Sequence, residues 1–279
     1  MPDRPRACVI QFPGVNCEYE SARALRDAGA VAEIHRWNED AAHLAAFDLF
    51  LLPGGFSYQD RIRAGVVAAK EKILGALADE AGKGKPVMGI CNGAQVLVEG
   101  GFIPGLRPGE VELALATNRM PGREGYFTDW SFLRVSERTP SWLAELAGSV
   151  LPIPFAHGEG RFTSRREGLF EELEAKGQIV LRYCDEDGRV DGAWPRTPNG
   201  SIAAAAGLCN PEGNVLAMMP HPERSAWLGQ VPEELPGRWG ERRREAAGEW
   251  SRLRGEGPGM AILRAMVEAA RRREASHAS

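Results

Sequence analysis

The sequence predicts an α/β fold in which an open, mostly parallel sheet is covered by helices. Short apolar runs alternate with helical patterns through the first hundred residues, which is typical of parallel strands joined by helical crossovers. The chain of 279 residues, with 43% hydrophobic and 26% charged content, is long enough to bury a large core. We therefore expect one principal domain with at most a small addition.

The first part of the chain supplies the parallel strands and their helices. Apolar runs predict strands, amphipathic runs predict helices, and glycines mark two of the helix ends. In chain order the predicted elements are a strand over 7–12, a helix over 18–28, strands over 31–37 and 48–52, a helix over 62–81, a strand over 86–90 and a helix from 92 to 99.

The second part of the chain predicts shorter strands, which extend the sheet and form hairpins. These runs, at 132–135, 149–152, 179–183, 201–207 and 214–219, are separated by turns rich in Gly, Pro and Asn. Beyond Trp227 the composition changes to Glu, Arg and Trp, and apolar residues from Met260 onward fall on one face of a terminal helix. We expect a principal domain over 1–226 and a helical C-terminal extension over 227–279, packed on that domain or on a partner.

Charge and cysteine content exclude several classes of function. The net charge of −4 and dispersed arginines give no basic surface for nucleic acid. No apolar segment resembles a leader or a membrane span, so we expect no membrane association and a cytoplasmic location. The five cysteines are odd in number and scattered without a CxxC pair, which predicts reduced thiols and no metal site.

A candidate nucleophile lies in the segment GKPVMGICNGAQVL. Cys91 follows a predicted strand and precedes a predicted helix, within the G-x-C-x-G frame of a nucleophile elbow. Such a turn strains the central residue and crowds its neighbours, which favours glycine at positions 89 and 93. The positive end of the helix dipole favours a thiolate there. The alternative is a small buried cysteine between packing glycines.

A candidate base follows another apolar strand in the segment NVLAMMPHPER. The flanking prolines keep the backbone extended, so His221 and Glu223 project to the same side. The carboxylate would orient the imidazole and stabilise its charged form. The alternative is a proline-rich turn with a solvated histidine, although the elbow at Cys91 favours the catalytic interpretation.

An oxyanion hole is predicted from the segment LLPGGF. Paired glycines after a strand let backbone N–H groups approach a ligand without obstruction by side chains. The donors would be the N–H groups of Gly55 and Asn92. Without the elbow, this segment would be read as a simple turn.

Taken together, the segments LLPGGFSYQD, GICNGAQVL and MMPHPERS resemble the class I, triad-type glutamine amidotransferases. The further segments GGFSYQDRIRAG, FAHGEGRF, PNGS and GNVLAMMPHPER are similar to the glutaminase components of phosphoribosylformylglycinamidine synthases. The resemblance extends over residues 7–225. It implies a flavodoxin-like sheet with helices on both faces and hydrolysis of L-glutamine at Cys91.

The same resemblance implies partners for the chain. Ammonia would pass to a large synthetase subunit that amidates formylglycinamide ribonucleotide in purine synthesis, and a small third subunit would complete the complex. This chain would hold no cofactor itself, and ATP and Mg²⁺ would be used by the synthetase subunit. The chain departs from the family pattern at Gln59, where glycine is usual, and at Ala64, where cysteine is frequent.

Further site residues follow from the resemblance. Gly54 and Gln95 would contact the substrate, and Gln95 lies one helical turn beyond Cys91. The segment with His157, Glu159 and Arg161 would lie near the cavity and the synthetase, in substrate positioning or coupling. A metal site on the first two is the less favoured alternative, because two ligands do not make a site.

Two other classes of protein stay open from the sequence. The first is a stand-alone cysteine hydrolase or DJ-1-like protein with an elbow cysteine, which would not require the P-H-P-E segment. The second is a non-catalytic assembly module with an amidotransferase frame, against which the intact Cys91, His221 and Glu223 argue.

Overall fold

The computed structural model describes residues 4–277. Its strands are β1 (Arg6–Gln11), β2 (Val31–Arg36), β3 (Leu49–Leu52), β4 (Val87–Ile90), β5 (Ala114–Ala116), β6 (Arg119–Met120), β7 (Arg123–Glu124), β8 (Phe127–Val135), β9 (Val150–His157), β10 (Arg161–Thr163), β11 (Ile179–Cys184), β12 (Ala205–Cys209) and β13 (Val215–Met218). Its helices are α1 (Glu18–Asp27), α2 (Ile73–Gly82), α3 (Asn92–Glu99), α4 (Leu169–Ala175), α5 (Arg238–Glu245), α6 (Trp250–Leu253) and α7 (Met260–His277).

The central sheet has nine strands in the order β2-β1-β3-β4-β13-β12-β11-β8-β9. The five strands from β2 to β13 pair in parallel, and each later neighbour pairs antiparallel. The α/β prediction is confirmed, and the antiparallel half is the predicted sheet extension with hairpins. Strands β3, β4 and β13 are buried throughout, as expected for parallel strands covered on both faces.

The predicted helix over 62–81 is wrong in its first half. A regular helix forms only from Ile73, after a 3-10 turn at Ala68–Lys70. Ile62 has a φ of 73° and Gly65 a φ of 80°, both outside helical geometry. A side chain at Gly65 would meet the backbone of Gln95 at 2.7 Å, so this segment is shaped by close packing against α3 rather than by helical periodicity.

The C-terminal extension packs on the principal domain. Helix α7 contacts α1 and β3, and its residues Met260, Leu263 and Met266 belong to the main hydrophobic core. The segment before α7 has a small apolar cluster of its own, formed by Leu228, Val231, Leu235 and Ala246. The predicted boundary at 226 stays a prediction, because the terminal helix shares its core with the sheet.

Candidate active site

The elbow at Cys91 has the strained geometry that its glycines suggest. Strand β4 ends at Ile90 and α3 begins at Asn92, and Cys91 between them has a φ of 51° and a ψ of −106°. A Cβ atom at Gly89 would lie 2.5 Å from the Gly93 oxygen, and one at Gly93 would lie 2.0 Å from the Leu52 oxygen. Both glycines are therefore required, and they let the thiol emerge at the carboxyl edge of the sheet.

The imidazole of His221 is oriented by Glu223. The two residues follow β13, and His221 Nδ1 lies 2.6 Å from Glu223 Oε1. Both side chains are buried, with exposed fractions of 2% and 0%. The backbone N–H of His221 donates to the Pro154 oxygen of β9 at 2.7 Å, which fixes the segment against the sheet. Within residues 4–277, His221 Nε2 makes no hydrogen bond, so this nitrogen is available for proton transfer.

The electrostatics of the site favour a charged imidazole. Burial disfavours the imidazolium form of His221, but the carboxylate of Glu223 and the sulfur of Cys91 outweigh that effect and raise its pKa well above the usual value. The surroundings of His221 therefore favour its protonated form. A protonated imidazole beside a nucleophilic sulfur can donate to a departing nitrogen.

The residues of the predicted oxyanion hole lie just after β3 and at the start of α3. Gly54 and Gly55 follow β3, and a Cβ atom at Gly54 would lie 2.7 Å from His221 Cε1. Gly55 has a φ of 139° and packs against the Val15 backbone, which leaves no room for a side chain. Asn92 is the first residue of α3, where the helix cannot pair the backbone N–H groups.

Cys91, His221 and Gly55 line one cavity of about 230 Å³, whereas Gly54, Asn92 and Glu223 lie outside its lining. Its lining residues are Asn16, Cys17, Gly55, Phe56, Asp60, Ala64, Cys91, Gln95, Tyr126, Ala156, His157, Gly158, Glu159, His221 and Arg224. The predicted site residues Cys91, His221, Gly55, Gln95 and Glu159 thus converge although they are distant in the sequence. Their catalytic and binding roles stay predictions that this convergence supports.

Arg161 lies outside the cavity lining. Its Nε donates to the Thr117 oxygen at 3.0 Å, and burial together with Arg119 lowers its pKa. Its predicted role in coupling stays a prediction.

His157 is a neutral, buried member of the cavity wall. Burial, together with the charge of His221, lowers its pKa to about 3. Its Nδ1 lies 3.2 Å from Asn118 Oδ1, and the Gly160 backbone N–H donates to the same oxygen. A neutral imidazole held in this way fits a wall that shapes the cavity.

The sequence analysis did not identify Cys17, Asp60 or Arg224, three of the polar residues in the cavity lining, as site residues. Arg224 Nη2 lies 2.9 Å from Cys17 Sγ, and burial raises the pKa of the Cys17 thiol. Asp60 faces the first turn of α3 through the Asn92 side chain. The available signal was position: Cys17 follows β1 and Asp60 follows β3, so both lie at the carboxyl edge where open α/β sheets bind ligands.

The described residues contain one group of side chains with metal-ligand chemistry. Ligand atoms of Cys17, His221 and Glu223 all lie within 4.8 Å of one another. The carboxylate is already bound to the imidazole and the sulfur to Arg224, so these groups are engaged with each other. We assign no metal to this cluster.

The fold and the site define a class of protein. A cysteine at a strand-to-helix elbow, a buried histidine paired with a glutamate, and a glycine in the wall of the same cavity are parts that acyl transfer through a thioester uses. Residues 4–255 match the CobB/CobQ-like glutamine amidotransferase domain, and the chain belongs to this family.

Similar proteins carry a more specific name. The chain is 44% identical to the phosphoribosylformylglycinamidine synthase subunit PurQ of Methanothrix thermoacetophila, over 94% of this chain and 96% of that protein. It is 41% identical to the PurQ subunit of Thermomicrobium roseum, over 79% of this chain and 87% of that protein. Among solved structures, PurLQS from Thermotoga maritima matches with a TM-score of 0.68 and 30% identity, over 95% of this chain and 99% of that chain.

Proposed function

We propose that this protein is the glutaminase subunit of a phosphoribosylformylglycinamidine synthase. It hydrolyses L-glutamine and supplies ammonia to a synthetase subunit that converts formylglycinamide ribonucleotide to formylglycinamidine ribonucleotide in purine synthesis. The observation that supports this most is the cavity that joins the Cys91 elbow to the His221–Glu223 pair in a member of the amidotransferase family. Its similarity to PurQ subunits supports the choice of synthase.

The first half of the reaction forms a thioester. The Cys91 thiolate attacks the side-chain amide carbon of glutamine, and the carbonyl oxygen becomes an oxyanion near the Gly55 and Asn92 N–H groups. Each such donor stabilises the transition state by about 3 kcal/mol. The His221 imidazolium donates its proton to the amide nitrogen, the C–N bond breaks, and ammonia leaves.

The second half releases glutamate. Neutral His221 now takes a proton from water, and the resulting hydroxide attacks the thioester carbon through a second oxyanion. When the C–S bond breaks, the Cys91 thiolate and the His221 imidazolium are restored. Glu223 keeps the imidazole in one orientation throughout and stabilises its charged form.

The partners follow from the same proposal. The large synthetase subunit binds the nucleotide substrate and uses ATP and Mg²⁺, and a small third subunit completes the assembly. The Thermotoga maritima structure that matches this chain is named as PurLQS, which supports a complex of this composition.

The location of the protein is a separate point. In residues 4–277, no helix is both long and apolar enough to cross a bilayer. The cytoplasmic location expected from the sequence stays a prediction.

The proposal is tested by measuring glutamate formed from glutamine, with the purified chain alone and with its synthetase partner, ATP and formylglycinamide ribonucleotide. We expect weak turnover alone and strong turnover in the mixture. Cys91→Ala should reduce the rate by at least about 10³-fold, since removal of a nucleophile has effects of this size. Cys8→Ala, at a buried thiol in β1, is the matched control and should keep turnover.

Two outcomes would contradict the proposal. Ammonia release that survives Cys91→Ala would show that the nucleophile is elsewhere. If no glutamate formed from glutamine, either with the chain alone or with the synthetase partner present, the stand-alone hydrolase and the non-catalytic module would be the remaining interpretations.

A further inference from the structure

Two carboxylates lie together in the wall of the cavity, beside the first turn of α3. Asn92 Nδ2 lies 3.4 Å from Asp60 Oδ1, and the Ala64 backbone N–H donates to Glu159 Oε2 at 3.4 Å. Gln95 joins this region to Cys91, since its Nε2 donates to the Glu159 backbone oxygen at 2.8 Å and its backbone N–H donates to the Cys91 oxygen at 3.1 Å. The reaction described above uses neither carboxylate.

No cationic side chain within the described range 4–277 forms an ion pair with Asp60 or Glu159. Arg63 is near enough for its charge to act on Glu159, but its guanidinium donates two hydrogen bonds to Glu99. Arg224 and His221 line the same cavity, but Arg224 is paired with Glu20 and His221 with Glu223, and His157 is neutral. The carboxylates of Asp60 and Glu159 therefore have no ion-pair partner within residues 4–277.

The negative charge of these two carboxylates is costly to the empty protein. Burial and the nearby charge of Glu159 raise the pKa of Asp60 to about 6. A bound cation would remove the repulsion between the two carboxylates and would favour the ionised form of Asp60. The arrangement is therefore more stable with a positively charged ligand than without one.

The backbone that presents Asp60 is itself strained. Tyr58, Gln59 and Asp60 have φ angles of 53°, 60° and 52°, a left-handed run that is unfavourable for residues other than glycine. The run is held by Asn92, whose side-chain oxygen accepts from the Ser57 N–H at 3.0 Å, and by a hydrogen bond between the Tyr58 hydroxyl and Glu71. Strain of this kind is kept where it positions a functional group.

A second polar group in the same wall also lacks a partner. His157 Nε2 is buried, in a side chain that is 2% exposed, and makes no hydrogen bond within residues 4–277. Buried polar atoms are nearly always satisfied, so this nitrogen is a free hydrogen-bonding position in the cavity wall.

We propose that the carboxylates of Asp60 and Glu159 bind the α-ammonium group of glutamine. The inference rests on the proposed function, because it places the amide of that substrate at Cys91. Four residues of helix, from Cys91 to Gln95, span about 6 Å. The amide carbon and the α-nitrogen of glutamine are four bonds of about 1.5 Å apart, or roughly 5 Å when extended. Cys91, Asp60 and Glu159 line the same cavity, so a glutamine with its amide at the sulfur would extend along the wall that holds the two carboxylates.

The experiment compares glutamine with 4-carbamoylbutanoate, which has the same amide and carboxylate but no amino group. In the assembled complex, Asp60→Asn should raise the KM for glutamine by about 10- to 100-fold, which is the effect expected from losing a charge-assisted hydrogen bond. The same variant should change kcat by less than about threefold. It should leave the kcat and KM for 4-carbamoylbutanoate unchanged. Glu159→Gln should act in the same direction, and Asp60→Glu should restore part of the affinity.

Asp79→Asn, on the exposed face of α2, is the matched control and should leave both substrates unaffected. Equal losses for both substrates in the Asp60 and Glu159 variants, or an unchanged KM for glutamine, would overturn the inference. Calorimetric binding of glutamine to complexes that carry Cys91→Ala, with and without Asp60→Asn, measures the same contact without turnover. If glutamine bound more weakly after Asp60→Asn but the wild-type complex released no ammonia, the proposed function would be wrong and the inference about binding would stand.

Discussion

The two walls of the cavity are built in different ways. Cys91 and His221 directly follow buried parallel strands in the middle of the sheet, where the core fixes their backbone. Asp60 lies on a loop in left-handed geometry, two residues before Ile62, whose exposed fraction is 90%. The groups that we propose to make and break bonds thus lie next to rigid strands, whereas the carboxylate that we propose to bind the substrate lies on a segment held by a few hydrogen bonds.

The cavity wall formed by Cys91 and His221 is called the rigid wall here, and the wall that carries Asp60 is called the strained wall. The largest effect on turnover is expected on the rigid wall, from Glu223→Gln. The amide keeps the shape of the side chain but removes the charge that stabilises the His221 imidazolium. We expect kcat to fall by about 10²- to 10⁴-fold with KM changed by less than about threefold. Steady-state glutamate formation measures both. Glu110→Gln, in an exposed ion pair, is the control, and a variant with wild-type kcat would show that the rigid wall does not depend on this carboxylate.

The same variant has a pH signature. Because the folded-state pKa of His221 is raised, its contribution to stability is fully present below its unfolded value of about 6.5 and is lost as pH rises through the folded pKa. The melting temperature of the wild type should therefore fall more steeply at alkaline pH than that of Glu223→Gln. Parallel curves would contradict the assigned direction.

A smaller effect is expected from Gly54→Ala. The new Cβ atom would lie 2.7 Å from His221 Cε1, so the imidazole must move away from its position. A displacement of this kind lowers kcat by about 10²-fold. Gly75→Ala, in α2 with open space around its Cβ position, is the control and should stabilise the protein by about 0.5–1 kcal/mol without loss of turnover. Equal activity of the two variants would show that the rigid wall tolerates movement.

On the strained wall, Asp60→Asn should increase stability although it weakens glutamine binding. The raised pKa of Asp60, about 6 against an ordinary 3.8, means that the folded protein loses stability as pH rises between these values. The variant should melt roughly 2–4 °C above the wild type at pH 7.5, and the difference should vanish near pH 4. A wild type that melts higher at pH 7.5 would show that the carboxylate stabilises the loop.

The smallest effect is expected from Gln59→Gly. This position has a φ of 60°, which glycine adopts without the steric cost that a side chain incurs. We expect a gain of about 1 kcal/mol in the free energy of unfolding, measured by urea denaturation, with kcat and KM unchanged. A loss of stability would show that the Gln59 contact with Arg61 outweighs the strain.

Elements with a single local cause were predictable from the sequence. The elbow at Cys91 could be read from G-x-C-x-G because glycine is the one residue that fits beside so sharp a turn. The pairing of His221 with Glu223 could be read because prolines fix the backbone around them. In contrast, the helix predicted over 62–81 is wrong in its first half, because contacts with α3 override the local sequence pattern before Ile73.

The contact between the Cys17 sulfur and Arg224 could not be predicted from local sequence patterns. Cys17 and Arg224 are 207 positions apart, and their contact arises because β1 and β13 present their carboxyl ends at one edge of the sheet. No periodicity encodes such a contact. The unpaired charge of Asp60 and Glu159 is likewise a property of burial, which depends on every element packed around the cavity.

The sequence by itself determined the α/β class, the elbow, the histidine–glutamate pair and the family, since these depend on residue types at short spacings. The tertiary structure alone decided which side chains share the cavity and which charges there lack a partner. The physical reason is that turns and strands follow from local sterics, whereas proximity and desolvation exist only after distant segments have packed together.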